Sequence, residues 1–457
     1  MNNFTTNTYE MKREILNFSE KIANGVNKPT KKFVMEMQYG LAKGGSCLIS
    51  KIARELDEKI KLNYTIDRLC DNLVNLDSEY EKIIWNNYLK EIKKHINKEN
   101  PIAIFDDSDM NKEYSRKLED LDRVIDASSK DKRIVNGYHV CEAVVLSKNT
   151  NQPMSVYSKI YSTKSADFKS KNTYTLESIK AVEDLIGKDF TGIFDRGYDD
   201  NKVFDYMSKN NHSFIVRLDD KRTLLFKGKK RSVEEVSKSR KGKILMKALF
   251  DDNEEYNLML SYTKATLPYN KEEYTLVIVY GLSEESPMKL LTNLKIKDKK
   301  DVIRIARLYL SRWRIEEYFR GKKQEYDFEN MRVRTLKSMN NLNMMLSIHL
   351  GHIAILADKI DFNLLTIKII YASKSLKEKA VVWLGQMARG IKEMLKYAHE
   401  GIKRWQDIEV KDTRQLSFNF WKKHKRKIKK SILWYLALLC LKIDKFYKKN
   451  KEMHKIY

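Results

Sequence analysis

One stretch, YLSRWRIEEYFRGKK at 309–323, carries a hydroxyl, a guanidinium, a carboxylate and an amine at a spacing that invites chemistry. Arg312, Glu316 and Lys323 follow Tyr309 at offsets of 3, 7 and 14. At 3.6 residues per turn the four side chains fall within an arc of about 60° of one helix. Continued backwards, the same stripe becomes Val302, Ile305 and Ala306, so an apolar, core-facing stripe turns ionic. A lone carboxylate on such a face needs a positive partner. Two readings supply one. Arg312 and Glu316 make an i,i+4 pair on a solvated face, or Glu316 is a metal-binding acid flanked by groups that hold phosphate. The second reading needs further carboxylates elsewhere in the chain.

The chain offers them. PIAIF at 101–105 is a continuous apolar run that reads as a buried strand, and it ends in DDSD. FTGIF at 190–194 is another, and it ends in DRGYDD. Ligand sites of open α/β sheets lie off such strand ends, so Asp106 and Asp195 are the candidate partners of Glu316. Asp107 and Asp109 compete with Asp106, but Asp107 faces the opposite side if the strand continues, because adjacent residues alternate. Three carboxylates of this kind can hold two divalent ions, Mg²⁺ or Mn²⁺, and run phosphodiester chemistry.

The elements that must position these groups follow from pattern. Residues 1–98 are helical by periodicity, with a glycine-broken turn in GLAKGGSC before a helix from about Ser50, compatible with a helix-turn-helix. After the 101–105 strand come YHVCEAVVL (138–146) and PMSVYSKIY (153–161), a hairpin around SKNTNQ. An amphipathic helix at 175–187, the 190–194 strand, a helix near 201–209 and SFIVRL (213–218) complete a first core segment, 99–220. Residues 221–296 break the rhythm into strands separated by Lys- and Gly-bearing turns, a β-rich insertion. The helix with Glu316 opens a last core segment, 297–360, and 361–457 read as a helical, basic C-terminal region.

Composition narrows the partner. There are 88 Lys and Arg against 62 Asp and Glu, a formal charge of +26, which points to a polyanion, nucleic acid before membrane, although a Lys-rich surface accounts for part of it. Cys47, Cys70, Cys141 and Cys440 are scattered, which argues against a zinc knuckle or a disulfide framework and fits a reducing cytoplasm. The first residues lack an apolar signal-peptide core, and ILWYLALLCL at 432–441 is too short to span a bilayer.

With the strand–strand–strand–helix–strand–helix order and these acids in place, the chain resembles the DDE transposases with an RNase H-like core. DDSD is similar to their first-acid motif and DRGYD to the second. YLSRWRIEEYFRGKK matches the Tyr-x2-Arg-x3-Glu-x6-Lys signature of the insertion-sequence subclass called YREK, and the 121-residue gap from Asp195 to Glu316 matches its β-rich insertion. The resemblance covers about 35 to 360. It implies an α/β fold, an RNase H-like core interrupted by the insertion between N- and C-terminal helical regions. It implies Asp106, Asp195 and Glu316 as catalytic metal ligands, two Mg²⁺ ions, and Tyr309, Arg312 and Lys323 on phosphates of the transposon end. The implied partners are double-stranded DNA, both terminal inverted repeats and target, bound by a homodimer in the cytoplasm at the nucleoid. Relatives that use a DNA hairpin stack a flipped base on a tryptophan before a Leu-Leu-Thr segment; here the segment is PMKLLTN and Met288 holds that place, a weaker platform. A non-catalytic inhibitor of transposition and a nuclease without strand transfer are the rival functions.

Two further features have plainer explanations. His349 and His352 sit at i,i+3 in MMLSIHLGHIAIL and read as core histidines rather than metal ligands. FNFWKKHKRKIKK at 418–430 reads either as a DNA-backbone contact or as a solvated connection.

Overall fold

The computed structural model describes residues 2–126, 131–249, 255–283, 286–359, 363–374 and 384–402. Five helices lead: α1 (Asn2–Ile22), α2 (Lys28–Gly44), α3 (Ile49–Glu55), α4 (Leu62–Asn75) and α5 (Ser78–Lys93). Local signals set their ends. The Asn27 side chain accepts the Thr30 N–H at 2.9 Å at the start of α2, and Gly45 closes it at φ 56°, a left-handed conformation that suits glycine.

Residues 99–220 hold β1 (Ile102–Asn111), β2 (Asp122–Ile125), β3 (Ile134–Leu146), β4 (Pro153–Tyr161), α6 (Lys171–Ile186), β5 (Thr191–Phe194), α7 (Asn201–Lys209) and β6 (Ser213–Arg217). Strand β1 does not stop at Phe105, as the apolar run suggested. It continues through DDSD to Asn111 because β3 supplies backbone partners the whole way, Asp106 opposite Glu142 and Asn111 opposite Gly137. Residues 221–296 contain β7 (Thr223–Phe226), β8 (Lys229–Ser232), α8 (Val233–Lys238), β9 (Ile244–Leu249), β10 (Glu255–Thr266), β11 (Glu273–Tyr280) and β12 (Met288–Thr292). This stretch is not set apart from the strands before it. Strand β12 pairs with β6 and carries the sheet onward, in the order β2-β3-β1-β5-β6-β12-β11-β10-β7-β8, with β4 on β3 and β9 on β10. Strands β1, β5 and β6 are parallel and the remaining described pairings are antiparallel, so the fold is mixed α/β around a mostly antiparallel sheet.

Last come α9 (Lys299–Leu310), α10 (Trp313–Arg320), α11 (Leu336–Asp358), α12 (Leu364–Ala372) and α13 (Leu384–Leu395). Helix α11 is apolar on nearly all sides and buried along almost its whole length. It lies on β4 and is flanked by α2, α4, α5 and α13. Its Gly351 admits Tyr88 so closely that a Cβ there would meet the Tyr88 hydroxyl at 2.2 Å. His349 and His352 belong to this core. Tyr326 shares a 2.9 Å hydrogen bond with His349 Nε2, and His352 stacks on Phe18 at 4.1 Å.

Met1–Ile402 form one compact unit; the second, Lys403–Tyr457, lies outside the described residues, and with it ILWYLALLCL, FNFWKKHKRKIKK and Cys440. Cys47, Cys70 and Cys141 are free thiols. None of the described helices is long and apolar enough to cross a membrane.

Candidate active site

Register brings the first two acids together. Phe105 of β1 and Phe194 of β5 are partners in a parallel pair, and their rings stack at 4.6 Å. The residue after each is an aspartate, so Asp106, still within β1, and Asp195, just past β5, stand level with each other, about one strand spacing (roughly 4.8 Å) apart. Alternation along β1 then separates the neighbours: Asp106 meets Arg312 at 3.1 Å, whereas Asp107 meets Lys171 at 2.8 Å.

The third acid arrives on α10, but not on one continuous stripe. Helix α9 ends at Leu310, and i→i+3 bonds carry the chain through Ser311 and Arg312: Arg312 N–H to Tyr309 O at 2.9 Å and Ile315 N–H to Arg312 O at 3.0 Å. Past α10, Gly321–Glu325 form a π-helical turn. The tightened turn and the wide turn change the angular step. Tyr309, Arg312 and Glu316 reach one cluster, and Lys323 goes elsewhere, 3.1 Å from Glu329 and 3.5 Å from Asp109.

Arg312 is the centre of the arrangement. Its guanidinium pairs with Glu316, bonds Asp106 at 3.1 Å and lies 4.0 Å from Asp195. The i,i+4 pair therefore exists, inside a larger cluster of three carboxylates. Tyr309, 4% exposed, donates its hydroxyl to Asp195 at 3.1 Å. Burial pushes Asp106 up to about 7, against the downward pull of Arg312 and with the help of Asp195 and Asp107. Burial pushes Asp195 upward as well. Arg312, the Arg196 backbone N–H, Tyr309 and Arg217 outweigh it and hold that carboxyl below its ordinary value. Burial opposes the charge on Arg312, yet Asp195, Asp106, Tyr309 and Glu316 hold the guanidinium protonated more firmly than usual.

The donor set is all carboxylate oxygen, and one buried acid is charged only at a cost, so a hard cation suits the cluster. Among the described residues no group of three or more His, Cys, Asp or Glu side chains stands close enough to hold an ion, and Arg312 bonds both Asp106 and Glu316. Met288 opens β12, 9% exposed, and presents little surface for a base to stack on.

One pair beside the site escaped the sequence reading. Lys322, in the π-helical turn, reaches Glu142 of β3 at 2.7 Å, with both side chains fully buried. The available signal was a lone acid in the apolar run HVCEAVVL, which demands a buried partner. Lys322 also donates to Ser158 at 3.1 Å and Asn343 at 3.0 Å, so it ties the turn after α10 to β3, β4 and α11.

A profile of the transposase DDE domain matches residues 99–350. No curated protein matches the sequence. Among solved structures the chain is similar to the piggyBac transposase in its synaptic complex with hairpin DNA, seen by cryo-EM, at 12% identity over 90% of this chain and 82% of the other, with a TM-score of 0.40. Since the profile spans the β1, β5 and α10 acids and more than half of the sequence, the chain belongs to the transposase DDE domain family.

Proposed function

We propose that this chain is a cut-and-paste DNA transposase of an insertion sequence, of the YREK-signature subclass. In this reading β1 and β3–β6 are an RNase H-like core, residues 1–98 bind DNA, and Asp106, Asp195 and Glu316 are the catalytic acids. The observation that carries it is the convergence of three carboxylates, from β1, the end of β5 and α10, on the single cation Arg312. The same oxygens suit Mg²⁺ or Mn²⁺. Two such ions, when bound, would activate the attacking water or 3′-hydroxyl and offset charge on the leaving oxygen. The parallel register of β1 and β5 sets the separation of Asp106 and Asp195, and the Tyr309 hydroxyl fixes the rotamer of Asp195. Glu316 is half exposed and the freest of the three to turn. Arg312, released from the acids, presents a bidentate fork to a phosphate, and Lys323 presents a point charge. The substrate is duplex DNA, the inverted repeats flanking the gene and then a target, bound by a homodimer; the +26 charge supports that partner.

Glu316→Gln tests the reading, since Gln keeps size and hydrogen-bonding capacity but loses the charge. The expected result is no cleavage of a labelled inverted-repeat duplex in Mg²⁺, with binding of that duplex retained. Cleavage near the wild-type rate would instead make Arg312–Glu316 a surface pair worth about 0.3–0.5 kcal/mol. Joining of the cleaved 3′ end to a target duplex separates a transposase from a nuclease.

A further inference from the structure

The sheet ends in a ribbon that the acid cluster does not use. Strands β7 and β8 pair from Thr223–Ser232 to Phe226–Lys229 around a two-residue turn. Both turn residues, Lys227 at φ 49° and Gly228 at φ 76°, are left-handed, as a tight, right-twisted hairpin requires. Leu224 and Phe226 are buried and seat the ribbon, while Lys227, Lys229, Lys230 and Arg231 stand in solvent. Residues 221–243 hold ten Lys and Arg against two Glu, a surplus of eight in one short segment. No ion pair among the described residues involves Lys229, Lys230 or Arg231.

The base of the ribbon is clamped to the segment that follows Asp195. The Asp219 N–H donates to Asp199 at 2.9 Å, and Arg222 pairs with the same carboxylate at 3.2 Å. Arg222 also lies 5.2 Å over the Phe204 ring, and Lys289 holds Asp220 at 2.7 Å. Asp199 is four residues past Asp195. Four residues span at most about 14 Å, the paired Asp199 and Arg222 side chains bridge about 13 Å more, and the five from Arg222 to Lys227 add about 17 Å, so the tip lies within roughly 45 Å of the acids. That distance is about thirteen base pairs of duplex at 3.4 Å each.

Lysines on an edge strand also deter edge-to-edge pairing. That role accounts for one or two charges on β8. It does not account for Lys227 at the tip, outside the strand, or for the surplus that continues past α8 through Arg240, Lys241 and Lys243.

We propose that the β7–β8 ribbon is a duplex-DNA clamp: Lys227, Lys229, Lys230 and Arg231 contact backbone phosphates of the duplex whose end lies at Asp106, Asp195 and Glu316, within about thirteen base pairs of the cleaved bond. The proposal rests on the transposase reading and adds a surface to it. The test uses the full chain and a fluorescein-labelled 40-bp duplex, with affinity measured by anisotropy across salt concentrations. The triple variant Lys229→Gln, Lys230→Gln, Arg231→Gln is expected to reduce the slope of log affinity against log salt by about 2.7, at 0.9 per phosphate contact. On the same counterion arithmetic its affinity at 0.1 M salt falls by up to about 500-fold. Lys229→Arg with Lys230→Arg, which keeps the charge, is expected to keep the slope. A triple variant with the wild-type slope overturns the clamp, and self-association of that variant by light scattering would assign the lysines to edge protection. Loss of binding to phosphatidylserine vesicles with an unchanged duplex slope overturns it in favour of a membrane surface. A wild-type protein with no salt-dependent duplex affinity overturns the transposase reading itself, and the clamp with it.

Discussion

Lys322→Met is the perturbation whose cost the structure defines best. It removes the ammonium that faces Glu142 at 2.7 Å, and the carboxylate it leaves behind is fully buried. Ser155 and Ser158 still donate to that carboxylate, so its hydrogen bonds are partly kept and its charge is not compensated. Breaking a buried pair from one side costs about 3–5 kcal/mol. The Asn343 carbonyl also loses its 3.0 Å donor, which adds about 1 kcal/mol. The expected loss is therefore about 4–6 kcal/mol. Glu142→Gln added to Lys322→Met removes the stranded charge, keeps an acceptor for one serine and offers its amide N–H to the other, so the double variant should recover about 2–3 kcal/mol of the loss. Chemical denaturation of all four members of the cycle at pH 7 supplies the numbers. Two strictly additive singles, or a Lys322→Met variant as stable as wild type, would refute the pair as the anchor of the turn after α10. Cleavage adds a second readout: in the single variant α10 loses its hold on β3 and β4, and the rate should fall further than it does in the double.

Three other outcomes follow from particular contacts. Arg312→Ala leaves Asp106 and Asp195 without their shared cation and should weaken both end-DNA binding and cleavage, while Mg²⁺ should raise its unfolding midpoint more than that of wild type; an equal Mg²⁺ effect on both would show that the acids do not hold the ion. Burial first, and then His352, depress His349 from 6.5 to about 3, so the native state binds fewer protons than the unfolded chain between those values. Stability is then fully present above pH 6.5 and is lost as the pH falls toward 3, by about 4–5 kcal/mol from this group, and His349→Gln should flatten that part of the acid-denaturation curve. Gly351→Ala should cost about 1–3 kcal/mol by overpacking. Tyr88→Phe should not rescue it, because the new Cβ would also meet a Tyr88 ring carbon at 2.4 Å; full rescue would place the clash on the hydroxyl alone.

Much of the frame was legible because its signals are local. Strand β4 begins and ends where the sequence suggested, since Pro153 and the polar SKNTNQ turn bound it on one side. Helix α7 runs over the expected 201–209, with Asp200 accepting the Lys202 N–H. The level placement of Asp106 and Asp195 was legible in outline from two apolar runs that each end in an acid. What stayed hidden depends on partners far along the chain. Strand β1 crosses four polar residues because β3 pairs with it, and β2 is four residues long, too short to show alternation. The break between α9 and α10 and the π-helical turn are hydrogen-bond choices that a uniform 100° step cannot express, so Lys323 left the stripe and Lys322 went inside. Helix α8 is different: its capping box, Ser232 with Glu235, was present in the letters and overlooked among strands.

The placement of α11 has a consequence for how the chain is made. Gln38 of α2 donates to the Met345 carbonyl of α11, 307 residues later, and α4 and α5 lie against the same helix. At 5–20 residues per second, the ribosome needs roughly 15–60 s between these two partners. For that interval the apolar faces of α2, α4 and α5 have been synthesised and their cover has not. A nascent chain of this protein therefore carries a sticky N-terminal bundle through the making of the entire sheet, and a message cut short before codon 336 should yield a product that depends on chaperones or precipitates.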